Sequence, residues 1–163
     1  MRSRRADDEV STRLDNCYFE DYTQGATYEY DGITVTQDDI IDFATRFDPQ
    51  SFHVDPAAAQ HGPFGGLIAS GWHTTAVMMR LLADNYLSTV ASLGSPGVDE
   101  LRWLAPVRPG DHLWLRVRTL DTRLSRSAPN RGIVRSLVEL LNQDDLPVLR
   151  LTVVNLLSTR PNP

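Results

Sequence analysis

The chain has 163 residues, 41% of them hydrophobic and 8% aromatic, which is enough for one well-buried domain and short for two. A formal net charge of -5 removes the electrostatic ground for binding nucleic acid or an anionic membrane surface. The single cysteine, Cys17, excludes an intrachain disulfide framework and a cysteine-based zinc cluster. No apolar run approaches the roughly 20 residues of a membrane span, and the first residues lack the apolar core of a signal peptide, so the expected location is the cytoplasm.

Residues 1–16 are charged and almost free of apolar side chains, which predicts a flexible arm ahead of a single domain over 17–160. YFEDY at 18–22 reads as a short strand or an irregular lead-in, and the Gln24-Gly25 turn feeds a strand, ATYEYDGITV. TQDDIIDFATRF then offers Thr36 as N-cap, Asp39 at the third helical position and an apolar side of Ile40, Ile41, Phe43, Ala44 and Phe47, the pattern of a short amphipathic helix. Pro49 disfavours helical backbone at Asp48, so the helix stops there. Asp48 therefore stands at a helix end and His53 in irregular chain beyond it, where side chains can converge on a ligand. Asp55-Pro56-Ala57 predicts an N-cap with proline at the first helical position, opening one short turn that closes near Gly62. Gly62, Pro63, Phe64, Gly65 and Gly66 form a loop whose backbone can lie close to a ligand.

Ser70 or Gly71 opens a helix running to about Tyr86, apolar on almost every side, as expected of a helix enclosed by other structure. Its first turn offers unpaired N–H groups and a partial positive charge, suited to an oxygen that gains negative charge. After the loop SLGSPG the period changes. Runs at 98–104, 112–120, 132–141 and 148–157 are β-rich and parted by turn signals such as RPGD and QDD, which predicts consecutive antiparallel strands. Leu113, Leu115 and Val117 alternate with Trp114, Arg116 and Arg118, while Leu149, Leu151, Val153 and Leu157 face away from Arg150 and Thr152, so one face is apolar. A buried helix and one long antiparallel sheet predict an α+β layout in which the sheet curls around the helix.

The run from Phe47 to His73, FDPQSFHVDPAAAQHGPFGGLIASGWH, resembles the signature of the MaoC-like acyl dehydratases, also called R-specific enoyl-CoA hydratases, which have the hot dog fold. Asp48, His53 five positions on, Asp55, Ala58, Phe64, Ile68 and Gly71 fall at the family's positions, and LAPVRPGD resembles its strand-and-turn segment. The likeness spans roughly residues 18 to 158. Gln50 and Ser51 depart from it, standing where many members carry Asn and Pro, and Ser70 stands where many carry His.

Hydrating an enoyl thioester requires a base to activate water, an acid to protonate the α-carbon and stabilisation of the enolate oxygen. The resemblance implies that Asp48 and His53 jointly hold the water and that the Gly71 N–H binds the thioester oxygen, the missing side chain letting substrate come close. Ser70, Phe64, Gly66 and Trp72 are the further expected substrate contacts. The implied reaction interconverts trans-2-enoyl-CoA and (R)-3-hydroxyacyl-CoA with no metal or redox cofactor, coenzyme A or acyl carrier protein being the substrate's carrier. A homodimer or higher homo-oligomer is implied too, with the acyl thioester at the dimer interface. Alternatives are hydration of a polar or branched dicarboxylic acyl-CoA, a hot dog thioesterase, and a non-catalytic acyl-CoA-binding subunit.

Simpler readings compete at each position. Asp48 beside Pro49 could be a turn residue and His53 a structural one, but their joint placement before a glycine-rich helix entry favours a functional pair. Asp55 is explained as a helix cap. His53, His61 and His73 match no metal-ligand spacing, the glycines lack a P-loop lysine, and Ser70 lacks the preceding glycine of a nucleophile elbow and reads as a cap. Arg108, Arg116 and Arg118 form either a solvated face or a contact for carrier phosphates. Trp72, Met78, Met79 and Trp103 are candidates for tunnel lining or for core.

Overall fold

The computed structural model describes residues 14–161. The alternation read at 113–117 becomes a strand whose inward side chains, Leu113, Leu115 and Val117, are fully buried, as the two-residue period of a strand requires. Five strands, β1 (Thr27–Thr34), β2 (Gly97–Trp103), β3 (His112–Leu124), β4 (Arg131–Leu141) and β5 (Pro147–Ser158), form one sheet in the order β1-β3-β4-β5-β2. All four pairings are antiparallel. β3, β4 and β5 follow one another as expected, but β2 lies at the far edge, against β5. The reason is the long helix between β1 and β2, which carries the chain across the sheet.

Four helices lie between β1 and β2: α1 (Gln37–Phe47), α2 (Ser51–Val54), α3 (Pro56–Gln60) and α4 (Gly71–Asn85). The predicted capping box opens α1, with Thr36 accepting from the Asp39 N–H and Asp39 from the Thr36 N–H. The Asp55 carboxylate caps α3 through the N–H groups of Ala57 and Ala58. α2 was not expected. It is one turn after Pro49, and it places His53 on a helical turn instead of in irregular chain.

α4 lies along the sheet and buries Val77, Met78, Leu81 and Leu82, so Met78 is core. Its other side is open in the single chain: Trp72 is 57% and Met79 46% exposed, and Ala76 and Ala83 are exposed with them. The enclosure expected on almost every side is therefore one-sided, because a single sheet covers one face of a helix.

The segment at 18–22 is a tight turn, Phe19–Asp21, instead of a strand. The boundary expected at residue 17 moves towards the N-terminus. Leu14 is buried, its carbonyl accepts from the Thr89 N–H, Asp15 accepts from the Thr89 hydroxyl, and Arg160 donates to Asn16. Residues 14–16 thus belong to the domain, and the rest of the expected arm lies outside the described residues. Among the described residues no helix is long and apolar enough to cross a membrane.

Candidate active site

Asp48 terminates α1, its N–H still bonded to the Ala44 carbonyl at 2.8 Å. Pro49 turns the chain away, and α2 starts three residues on, which brings His53 back over Asp48. His53 is buried, and its Nδ1 lies 2.8 Å from the Ile68 carbonyl oxygen. A carbonyl can only accept, so Nδ1 carries the proton and Nε2 is left facing Asp48 Oδ2, 3.4 Å away. The carbonyl that sets this tautomer is held in turn: the Ile68 N–H donates to the Phe52 carbonyl at 3.1 Å, and the Ala69 N–H to the Val107 carbonyl at 2.8 Å.

The Asp48 carboxylate accepts from two neutral donors. The Ser70 hydroxyl donates to Oδ2 at 2.7 Å and the Gln50 amide to Oδ1 at 2.7 Å. Ser70's hydrogen bond is the main cause that holds this carboxyl below the ordinary carboxylate range; partial burial pushes the other way, and Gln50 and His53 add to the lowering. Ser70 is also the N-cap of α4, its Oγ accepting from the Trp72 N–H at 3.2 Å. Ser70 is thus fully buried, with its hydroxyl engaged both as donor to Asp48 and as acceptor from Trp72.

Gly71 is the first residue of α4, where the backbone N–H has no partner within the helix. A Cβ there would lie 2.5 Å from two ring carbons of Trp103, so the indole fills that space. Trp103 is anchored by its Nε1–H to the Thr75 hydroxyl at 3.2 Å and meets the exposed Trp72 edge to face at 5.2 Å.

Phe64 is partly exposed and packs edge to face on Phe52, which packs in the same way on His53. Its carbonyl accepts from Arg108 at 2.7 Å. Gly66 takes φ 148°, open to glycine, with the Arg108 guanidinium 3.4 Å from where a Cβ would stand. Arg108 thus straps the glycine-rich loop, and Arg116 pairs with Glu29 at 2.9 Å and covers the Trp114 ring. Arg108 and Arg116 thus have partners within the chain, and Arg118 is exposed.

The other histidines lie apart. His61 meets the Ala57 carbonyl in an exposed turn, and His73 stacks on Phe43 with ring centres 4.9 Å apart. Among the described residues no three His, Cys, Asp or Glu side chains gather as a metal site. Sequence reasoning missed the roles of Gln50, the Ile68 carbonyl and Trp103. Only Gln50 carried a local signal, as a donor two residues from Asp48.

A curved antiparallel sheet with one long helix along it, and an acid and imidazole at that helix's N-terminus, define a hot dog domain of the dehydratase type. The MaoC like domain model matches residues 20–139, and the chain belongs to that family. A crystal structure of a MaoC-like dehydratase from Rhodospirillum rubrum is 39% identical and superposes with a TM-score of 0.82, covering 89% of this chain and 99% of that one. The Bacillus subtilis protein YdeM is 32% identical over 129 residues, 79% of this chain and 90% of its own length. The 3-hydroxyacyl-thioester dehydratase Z of Mycobacterium tuberculosis is 34% identical over 110 residues, 66% of this chain and 70% of its own.

Proposed function

We propose that this chain is a hydro-lyase interconverting a trans-2-enoyl thioester and the (R)-3-hydroxyacyl thioester, carried on coenzyme A or acyl carrier protein. The observation that carries the reading is the Asp48–His53 pair, two acceptor atoms 3.4 Å apart beside the first turn of α4. A water donating to both keeps an oxygen lone pair for attack on the β-carbon. As the C–O bond forms, the pair takes the water's proton and the π electrons move to the thioester oxygen. The charge on that oxygen meets the Gly71 N–H and the positive end of α4. A proton returned to the α-carbon completes the addition of one water, and dehydration is the same path reversed. The scheme consumes only water, the proton taken from it being matched by the one delivered to the α-carbon, so it calls for no metal or redox cofactor.

The name of the M. tuberculosis relative supports a 3-hydroxyacyl thioester as substrate, and the (R) configuration follows from the family resemblance. The open side of α4 with its exposed Trp72 and Met79, next to the edge strand β2, supports a homodimer in which a second copy covers this face. The protein is read as acting in the cytoplasm.

The test is loss of the ultraviolet absorbance of crotonyl-CoA, with wild type and Asp48→Asn in parallel. Wild-type turnover reduced by about 10²–10⁴-fold in a variant with unchanged circular dichroism is the expected outcome. Free thiol release would instead mark a thioesterase. Tight acyl-CoA binding with no turnover of short, long or polar enoyl thioesters would mark a non-catalytic subunit.

A further inference from the structure

An aspartate at the end of a helix is free to rotate about two side-chain bonds, so its carboxylate needs external contacts to be aimed. Here each oxygen has one donor: Ser70 on Oδ2 and Gln50 on Oδ1, both at 2.7 Å. The two donors differ in kind. Ser70 Oγ already accepts from the Trp72 N–H, so its one proton goes to Asp48, and the hydroxyl relays the first turn of α4 to the carboxylate. Being fully buried, Ser70 cannot exchange that bond for one to bulk water. Gln50 is exposed and reaches back from the N-cap of α2.

We propose that Ser70 and Gln50 are positioning residues, a two-sided clamp that fixes the plane of the Asp48 carboxylate and presents Oδ2 to His53 Nε2. The proposal rests on the reading of Asp48 and His53 as the reacting pair. It gives a role to two positions, Gln50 and Ser70, at which this chain departs from the family pattern.

A clamp made of donors also favours the anion. The groups that face Asp48 from the elements packed against it are His53 on α2, which is titratable, the neutral Ser70 at α4 and the neutral Gln50. Arg46, on its own helix, lies over the Phe47 ring. The anion is the form that accepts a proton from water, so activity is lost as pH falls through the Asp48 pKa. Removing a donor raises that pKa and moves the acid limb of the rate profile to higher pH.

The experiment follows the Asp48 carboxyl carbon by ¹³C NMR titration in wild type, Ser70→Ala, Ser70→Thr and Gln50→Ala, beside the pH profile of kcat/KM on an enoyl-CoA. The Asp48 midpoint is expected to rise in Ser70→Ala, to rise by less in Gln50→Ala and to return in Ser70→Thr. The acid limb is expected to move with the midpoint, and kcat to drop by about 10- to 100-fold in Ser70→Ala with KM little changed. An unmoved midpoint in both alanine variants, or an acid limb that stays in place while the midpoint moves, overturns the proposal. Should Ser70→Ala fail to fold, Gln50→Ala decides, because Gln50 is exposed. Absence of turnover in wild type would overturn the hydration reading and with it the clamp's catalytic role, whereas the NMR midpoints judge the clamp itself.

Discussion

The two ends of α4 both collect hydroxyls, backbone groups and aromatic rings. At the C-terminal end these groups satisfy one another. The Tyr86 hydroxyl shares hydrogen bonds with Thr119 at 3.1 Å and Ser136 at 2.9 Å. The Tyr22 hydroxyl donates to the Tyr86 carbonyl at 2.9 Å and accepts from the Ser88 N–H at 3.2 Å, and the two rings meet edge to face. Burial drives both phenols' pKa values up, so they stay neutral. At the N-terminal end the groups are only partly matched: His53 Nε2 faces an acceptor at 3.4 Å, and the Gly71 N–H has no helical partner. A saturated buried network anchors a helix, whereas one that keeps an acceptor pair and a donor in reserve can bind a water and an oxygen.

The comparison is broken most severely by changing the partly matched end. Gly71→Ala would put a methyl 2.5 Å from the Trp103 ring, displacing the indole from Thr75, and overpacking of this kind costs about 1–3 kcal/mol. We expect a lower Tm and about a 100-fold loss of enoyl-CoA turnover. Adding Trp103→Leu should recover most of the stability, measured by urea unfolding; no recovery would show that the indole is not what requires glycine.

The saturated end should respond in the opposite sense. Tyr86→Phe leaves the Thr119 and Ser136 hydroxyls without that partner, costing about 1–3 kcal/mol in stability, with kcat within about twofold of wild type, since a change at this end leaves the dyad's own contacts in place. A large kcat effect with unchanged stability would contradict the division between the two ends.

The smallest effect concerns His73, which belongs to the first end by position and to the second by burial. Burial holds its pKa below the ordinary 6.5, although Asp39 acts slightly against this, and among the described residues its buried Nδ1 has no hydrogen-bond partner. As pH falls below about 6.5 the unfolded chain binds a proton that the folded chain does not, so stability declines until pH passes the folded value and is then level. His73→Leu should remove that part of the decline, read as a smaller difference in urea midpoint between pH 7.5 and pH 5.5. An identical pH dependence in the two proteins would rule out His73 as its source.

The site was legible to the extent that its parts are local. Thr36 with Asp39, Asp55 with Pro56, and Ser70 before Gly71 are capping signals confined to a few residues, and each starts the helix it announces. The spacing of Asp48 and His53 put an acid and an imidazole in one neighbourhood, but the turn of α2 between them escaped notice, because SFHV is too short to show a helical period.

By itself the sequence determined the long helices and the main strands, the apolar sides of β3 and β5, the family and the close spacing of Asp48 and His53. The helices and strands rest on periodicity and capping signals, and the family on the likeness of residues 47–73 to its signature. Tertiary structure decided what meets across the chain: Ser70 on Asp48, 22 residues apart, Trp103 on Thr75, 28 apart, and β2 at the edge beside β5. Each depends on how α4 lies on the sheet. No local pattern encodes that, because the packing of a helix on a sheet sums many weak apolar contacts from every element at once.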